Sequence, residues 1–369
     1  MNQLFRWDQM GLFLLALAAG ILPFAVPEVC AAALREGLTL CSGPLLLSLF
    51  PFLVVSRLLV QCPESDLLAL LFRLAAWGIG IRTPCAARVL CIGFLGGFAP
   101  AASAAAQAVR TGQLTAEEAD ALLPACICSG PSFVVLTVGQ SLLGSAELGV
   151  LLFASQITAN YLTAALLNRF AGVRSVKPGS AAPASPAPPR LDEILADAAI
   201  TYCKLCGFIL FFRMLAAGAG ALLPAGAGTL CSILLEVCSG CDLASRTGRW
   251  GSLLCCAALS VQGLSVLLQV RTICPPEMTL RPLYRARMLH LPLSLALFYL
   301  LLPGGEADVF STLPARVLLM RRVPPDCALL VFAVCCMAAC TLRSGIRQVE
   351  QKQMARNAGG CCINSKTLL

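Results

Sequence analysis

One carboxylate stands inside a run that is otherwise apolar: Glu236, in LCSILLEVCSG (230 to 240). A carboxylate at the centre of a membrane span costs about 2.5 to 3.5 kcal/mol on insertion scales, so something must offset it. Hydrogen bonds from a half-helix N-terminus, a bound cation, or an exchangeable proton would each do so. Polar groups capable of joining such a site lie on nearby segments: Gln140, Gln156, Asn160, Gln262 and Gln269, with hydroxyls at Ser129, Ser132, Ser239 and Ser260. Taken singly, each amide fits a helix-to-helix hydrogen bond. Arg213 is expected to snorkel to the interface. Enzyme signatures are missing: no intramembrane base accompanies Ser129 or Ser132, no rhomboid-like serine and histidine pair is apparent, and no P-loop is present.

The elements that would position these groups are apolar stretches broken by small residues. They are LGGFAP (95 to 100) and CSGPSF (128 to 133), then LLEVCSG (234 to 240) and VQGLSVLLQV (261 to 270). In hydrocarbon every backbone N–H and C=O must be satisfied internally, so a break is tolerated only where protein or a water-filled cavity covers it. Gly96, Gly97, Gly130 and Gly263 would, one at a time, fit close helix packing. Two breaks per half in the same order point instead to a midplane site, the pattern of transporters built from inverted repeats. The breaks are expected at Gly96 and Gly97, near Gly130, at Ser239 and Gly240, and near Gly263. Thr115, followed three residues later by Glu118, reads as a capping box that opens a helix.

Composition supports a membrane setting. The 369 residues are 58% hydrophobic and only 12% charged, too apolar for a water-exposed surface. Runs long enough to cross a bilayer of roughly 30 Å occur near 9 to 27, 38 to 60, 86 to 109, 146 to 168, 197 to 223, 252 to 272, 283 to 302 and 326 to 342. Arg6 before the first run and Ala18, Ala19 and Gly20 after it also fit a cleaved signal, although the later runs anchor the chain without it. Most of the 21 cysteines sit within apolar runs, where cysteine acts as a small hydrophobe. Cysteines at this density give about one CxxC pair by chance, so Cys203 with Cys206 and Cys238 with Cys241 do not indicate zinc. The single histidine, His290, follows a basic loop and is expected at a loop or interface. No metal or other cofactor is implied.

The net charge of +8 does not imply nucleic acid, because the basic residues cluster between spans and in the tail. Arg169, Arg174, Lys177 and Arg190 flank or lie within a Pro/Ala/Ser-rich tract and place it in the cytoplasm; Arg281, Arg285 and Arg287 do the same for their loop, as do Arg343, Arg347, Lys352 and Arg356 for the C-terminus. Arg316, Arg321 and Arg322 break this pattern, so 309 to 323 reads as a surface-lying amphipathic helix. The chain divides into an N-terminal transmembrane helix and loop (1–37), a first half (38–171), a linker (172–192), a second half (193–303), an amphipathic segment with a last transmembrane helix (304–345), and a basic tail (346–369).

CICSGPSFVVLTVG (126 to 139), LLEVCSGCDLAS (234 to 245) and LSVQGLSVLLQVRTI (259 to 273) together resemble the YlbJ-type sporulation integral membrane proteins, of the nucleoside-recognition Gate-domain group. The resemblance covers roughly residues 40 to 302 and makes both halves Gate-like. It implies a polytopic, transporter-like protein of a cell membrane or mother-cell-derived spore membrane, associated with forming the spore cortex. The matching positions, and hence the substrate-binding candidates, are Gly96, Gly97, Ser129, Gly130, Pro131, Phe133, Glu236, Gly240, Gln262, Gly263 and Gln269. Where the family pattern has a Gly-Tyr-Pro-x-Gly-Ala turn, this chain has Gly97, Phe98, Ala99, Pro100, Ala101 and Ala102. Ile127 and Cys128 stand where it has an asparagine, which makes the first-half site more apolar.

The expected protein is therefore an all-α, polytopic membrane protein with two pseudo-symmetric halves related as inverted repeats and broken helices. Its partners are the lipid bilayer and a small polar solute, with a coupling cation or proton. A non-transporting scaffold for the spore envelope and a nucleoside carrier are the competing readings. The linker yields a topological prediction: a protease site inserted within 172 to 190 is expected to be cut only from the cytoplasmic face, and cleavage from the outer face alone would reverse the orientation.

Overall fold

The computed structural model describes residues 2–61, 70–171 and 190–302, and every regular element among them is a helix. Most of the linker, the amphipathic segment, the last expected span and the basic tail lie outside the described residues. α1 (Asn2–Ala25) meets α2 (Pro27–Ser42) at a bend of 110°. Pro27 lies at the first helical position, where its missing N–H is harmless and its fixed φ suits a new helix. α3 (Pro44–Gln61) and α4 (Leu70–Gly78) follow, then α5 (Pro84–Gly96), α6 (Phe98–Arg110) and α7 (Ala116–Cys126). A π-helix (Ser132–Leu142) leads to α8 (Ala146–Ala171).

Among the described residues, six further α-helices follow residue 190. α9 (Leu191–Leu222) is followed by α10 (Ala225–Leu235), α11 (Val237–Ser245), α12 (Gly251–Val261), α13 (Gly263–Ile273) and α14 (Arg281–Leu301). Among the described residues, three stretches are long and apolar enough to cross a membrane: 146–171, 191–222 and 248–273, the last containing α12 and α13. The bent α1–α2 pair makes a fourth if it counts as one span. Among the described residues this is fewer than the seven runs read there from hydropathy; the eighth, 326 to 342, lies outside them. The run at 38 to 60 divides at Gly43, the run at 86 to 109 divides at Gly97, and the first half of α14 carries Arg281, Arg285, Arg287 and His290. The chain has the helices of a membrane protein, several of them too short to cross alone.

Small side chains set the packing. In α6 nearly every residue from Ala99 to Ala108 is buried, most of them alanine, and the helix fits among α3, α5, α7 and α13. α2 and α9 pack side by side, with Gly37 against Leu210 and the Tyr202 hydroxyl donating to the Cys41 carbonyl. Arg213 pairs with Glu36 at 2.8 Å and Arg57 with Asp197 at 2.7 Å, so Arg213 is tied to a neighbouring helix. The capping box is present: Thr115 Oγ1 accepts from the Glu118 N–H at 3.1 Å, and Glu118 Oε2 accepts from the Thr115 N–H at 3.1 Å. Glu118 Oε1 also accepts from Thr83 Oγ1 at 2.6 Å, which joins α7 to the start of α5.

Gly97, between α5 and α6, has φ 81° and ψ −163°, a region open essentially to glycine alone. A Cβ there would lie 2.6 Å from the Gly130 backbone nitrogen. Gly97→Ala is expected to lose about 1–3 kcal/mol from the backbone conformation alone, with the clash added. Gly207→Ala, at an exposed helical position with open space around it, is expected to be neutral or stabilising. Thermal unfolding of both variants in detergent checks the contrast.

Candidate functional site

Glu236 lies between α10 and α11 in extended backbone, φ −150° and ψ 126°. Its carboxylate folds back onto α11: Oε1 accepts from the Cys238 N–H at 2.8 Å and Oε2 from the Ser239 N–H at 2.7 Å. These N–H groups are orphans of the first turn, and the helix dipole adds positive potential beside the carboxylate. The side chain is an N-cap of unusual length carrying a full charge, where serine, threonine, asparagine or aspartate is the common choice. At 2% exposure it is fully within the protein. That cap supplies part of the compensation the sequence demanded.

A cavity of about 60 Å³ opens beside Glu236. Both halves line it: Gly96, Ser129, Gly130 and Phe133 from the first, Glu236 and Gln269 from the second. Ser132 also borders it. Gly97 stands directly behind, its α-carbon so close to Gly130 that a side chain is excluded. Gly263 plays the same part in the second half, where an added Cβ would fall 2.9 Å from the Glu236 nitrogen. The interruptions therefore meet in pairs, Gly97 with Gly130 and Gly263 with Glu236.

Besides Gly97 and Gly263, three nominated residues stand apart from the cavity lining. Gly240 lies within α11, against the Ile233 backbone. The helix is interrupted four residues earlier than expected, because the Glu236 side chain starts a new helix and Gly240 merely lets α10 approach. Pro131 leads into the π-helix without lining the cavity. Gln262, in left-handed backbone at φ 61°, joins α12 to α13 and donates from Nε2 to the Ile127 carbonyl at 3.3 Å. Among the serines, Ser260 accepts from Gln156 Nε2 at 3.0 Å, inside a separate cluster between α8 and α12.

That cluster holds a residue the sequence reading missed. Arg287, taken for a loop charge, is buried on α14 and donates to the Ile127 carbonyl at 2.7 Å, the Asn160 Oδ1 at 3.4 Å and the Ser260 carbonyl at 3.4 Å. Ile127 caps the C-terminus of α7, and Ser260 lies in the last turn of α12. Each helix end carries roughly half a negative charge, so two ends together match one guanidinium. His290 is likewise buried on α14, its Nε2 3.2 Å from the Gln156 carbonyl, which corrects the expected loop position. The missed signal was periodicity: Leu283, Arg287, His290, Ser294 and Phe298 recur at helical spacing along one buried face, while Arg281 and Arg285 point outward. Asp120 of α7 fixes where α14 begins, accepting from the Thr279 N–H at 2.8 Å and the Leu280 N–H at 3.1 Å.

Comparison of the chain with protein-family models, curated proteins and solved structures finds no match.

Arg287→Met leaves the Ser260 carbonyl and the Asn160 amide oxygen without this donor. Buried acceptors left unpaired cost about 1–3 kcal/mol each, so the variant is expected to unfold at markedly lower temperature. Arg285→Met, on the exposed face, is expected to leave the midpoint unchanged.

Proposed function

We propose that this chain is a transporter-like integral membrane protein that binds a small polar solute at the cavity beside Glu236. The observation that carries this reading is a buried carboxylate bordering a cavity to which both halves contribute backbone and side chains. Capping α11 alone would need no more than a serine or an asparagine, whereas a charge in a span costs about 2.5 to 3.5 kcal/mol. The short helices α5 and α6, and α10 and α11, are read as broken membrane helices in corresponding positions of two inverted repeats. Pairwise meeting of the interruptions supports that reading, since an inverted repeat brings equivalent parts around one axis. Residues 38 to 171 and 193 to 303 then form the two Gate-like halves.

Volume argues against the nucleoside alternative. Sites for drug-sized ligands run to about 300–1,000 Å³, against about 60 Å³ here. The aromatic residues at the cavity are Phe98 and Phe133 and the amide is Gln269, a sparse lining for a base. The solute is accordingly small.

The family resemblance supplies the setting: a cell membrane or mother-cell-derived spore membrane, with linker and C-terminus in the cytoplasm, and a role in forming the spore cortex. In a spore-forming host lacking its own copy, Glu236→Gln is expected to remain abundant in membranes but to fail in restoring heat-resistant spores. Glutamine keeps the shape and one cap acceptor while removing the charge. Normal spores from a normally abundant variant would defeat the role given to Glu236.

A further inference from the structure

We propose that the solute held in this cavity is one monovalent alkali cation, bound between the Glu236 carboxylate and the Gln269 amide oxygen. The inference rests on the reading of the cavity as a solute site and narrows it to a class of ligand. Its first support is charge. Each helix interruption at the cavity brings one C-terminus and one N-terminus, α5 with α6 and α10 with α11. Their dipoles contribute roughly half a charge of each sign per interruption and so offset each other; Glu236 is the one charged side chain on the cavity lining, and Arg213, which acts on it electrostatically, is itself paired with Glu36. One monovalent cation neutralises Glu236. A divalent ion would leave a net positive charge, and an anion would double the negative one, in a medium where either is expensive.

The second support is an acceptor without a partner. Gln269 is 2% exposed, and its Nε2 donates to Ser265 Oγ at 2.9 Å, but its buried Oε1 has no hydrogen-bond partner. Both carboxylate oxygens of Glu236 accept one N–H each, and a carboxylate has about four acceptor positions, so capacity remains on each. The Ser129 hydroxyl borders the same space. These are hard oxygen donors, the kind that hold hard cations. Among the described residues no three His, Cys, Asp or Glu side chains converge, so zinc lacks the ligand set it requires. A cavity of about 60 Å³ suits one ion with a few waters, each water needing about 10–15 Å³ on this measure.

The test uses purified full-length protein, with NaCl or KCl replacing N-methyl-D-glucamine chloride at constant ionic strength. Thermal unfolding is expected to rise saturably with Na⁺ or K⁺, as binding to the folded state requires. Gln269→Leu is expected to abolish the response, and Gln262→Leu, whose side chain lies off the cavity, to retain it. Glu236→Gln should also abolish it; if that variant loses too much of its helix cap to fold, Gln269→Leu decides. A midpoint indifferent to both ions, a response confined to Ca²⁺, or one that survives Gln269→Leu would overturn the proposal. Site-mapped modification of Cys238, which borders the cavity, by a water-soluble thiol reagent separates this failure from that of the broader reading. Reactive Cys238 with no ion response sinks the cation alone, whereas inert Cys238 with no ion response sinks the solute site as well.

Discussion

A helix that stops inside a protein leaves up to four N–H or C=O groups without intrahelical partners, and no water is at hand to take them. This structure meets that constraint with opposite charges at opposite helix ends. Glu236 covers the start of α11, and Arg287 covers the finish of α7 and of α12. Neither makes an ion pair among the described residues. Each is held by backbone dipoles, which ties the presence of the charge to the presence of the interruption.

The rest of the interior follows from this arrangement. Asp120 sets the first turn of α14 and with it the height at which Arg287 meets the two carbonyls. Asn160 and Gln262 donate to the same Ile127 carbonyl, so α8, α12 and α14 all converge on one helix end. Glycine is needed at 97 and 263 because backbone from the neighbouring interruption occupies the space of a side chain. The alanines of α6 allow the surrounding helices to close around these points. Glu236 is the one charged side chain on the lining of a cavity of about 60 Å³.

Much of the site was legible because its features are improbable in an apolar chain. Glu236, Gly96, Gly97, Gly130 and Gln269 stand out against Leu, Ala and Val, and the structure brings them together around one space. The misplaced interruption at Gly240 shows the limit of small-residue patterns: a charged side chain two bonds longer than serine restarts the helix, and the glycine serves packing. Arg287 and His290 were hidden by their neighbours, since Arg281 and Arg285 make the same stretch look like a cytoplasmic loop. Only the period along α14 distinguishes the buried face from the exposed one. Hydropathy likewise found the apolar runs but not their divisions at Gly43 and Gly97, where backbone geometry rather than polarity ends a helix.

The central claim is that the interruptions enclose a wet, ligand-holding site rather than a packed core. A density map of the protein in lipid nanodiscs, recorded in sodium chloride at a resolution that shows ordered solvent, tests it most directly. The account predicts a discrete peak in contact with the Glu236 carboxylate and Gln269 Oε1, bordered by Ser129 and Gly130. A collapsed interior, with side chains filling the space and no density between Glu236 and Gln269, would contradict it.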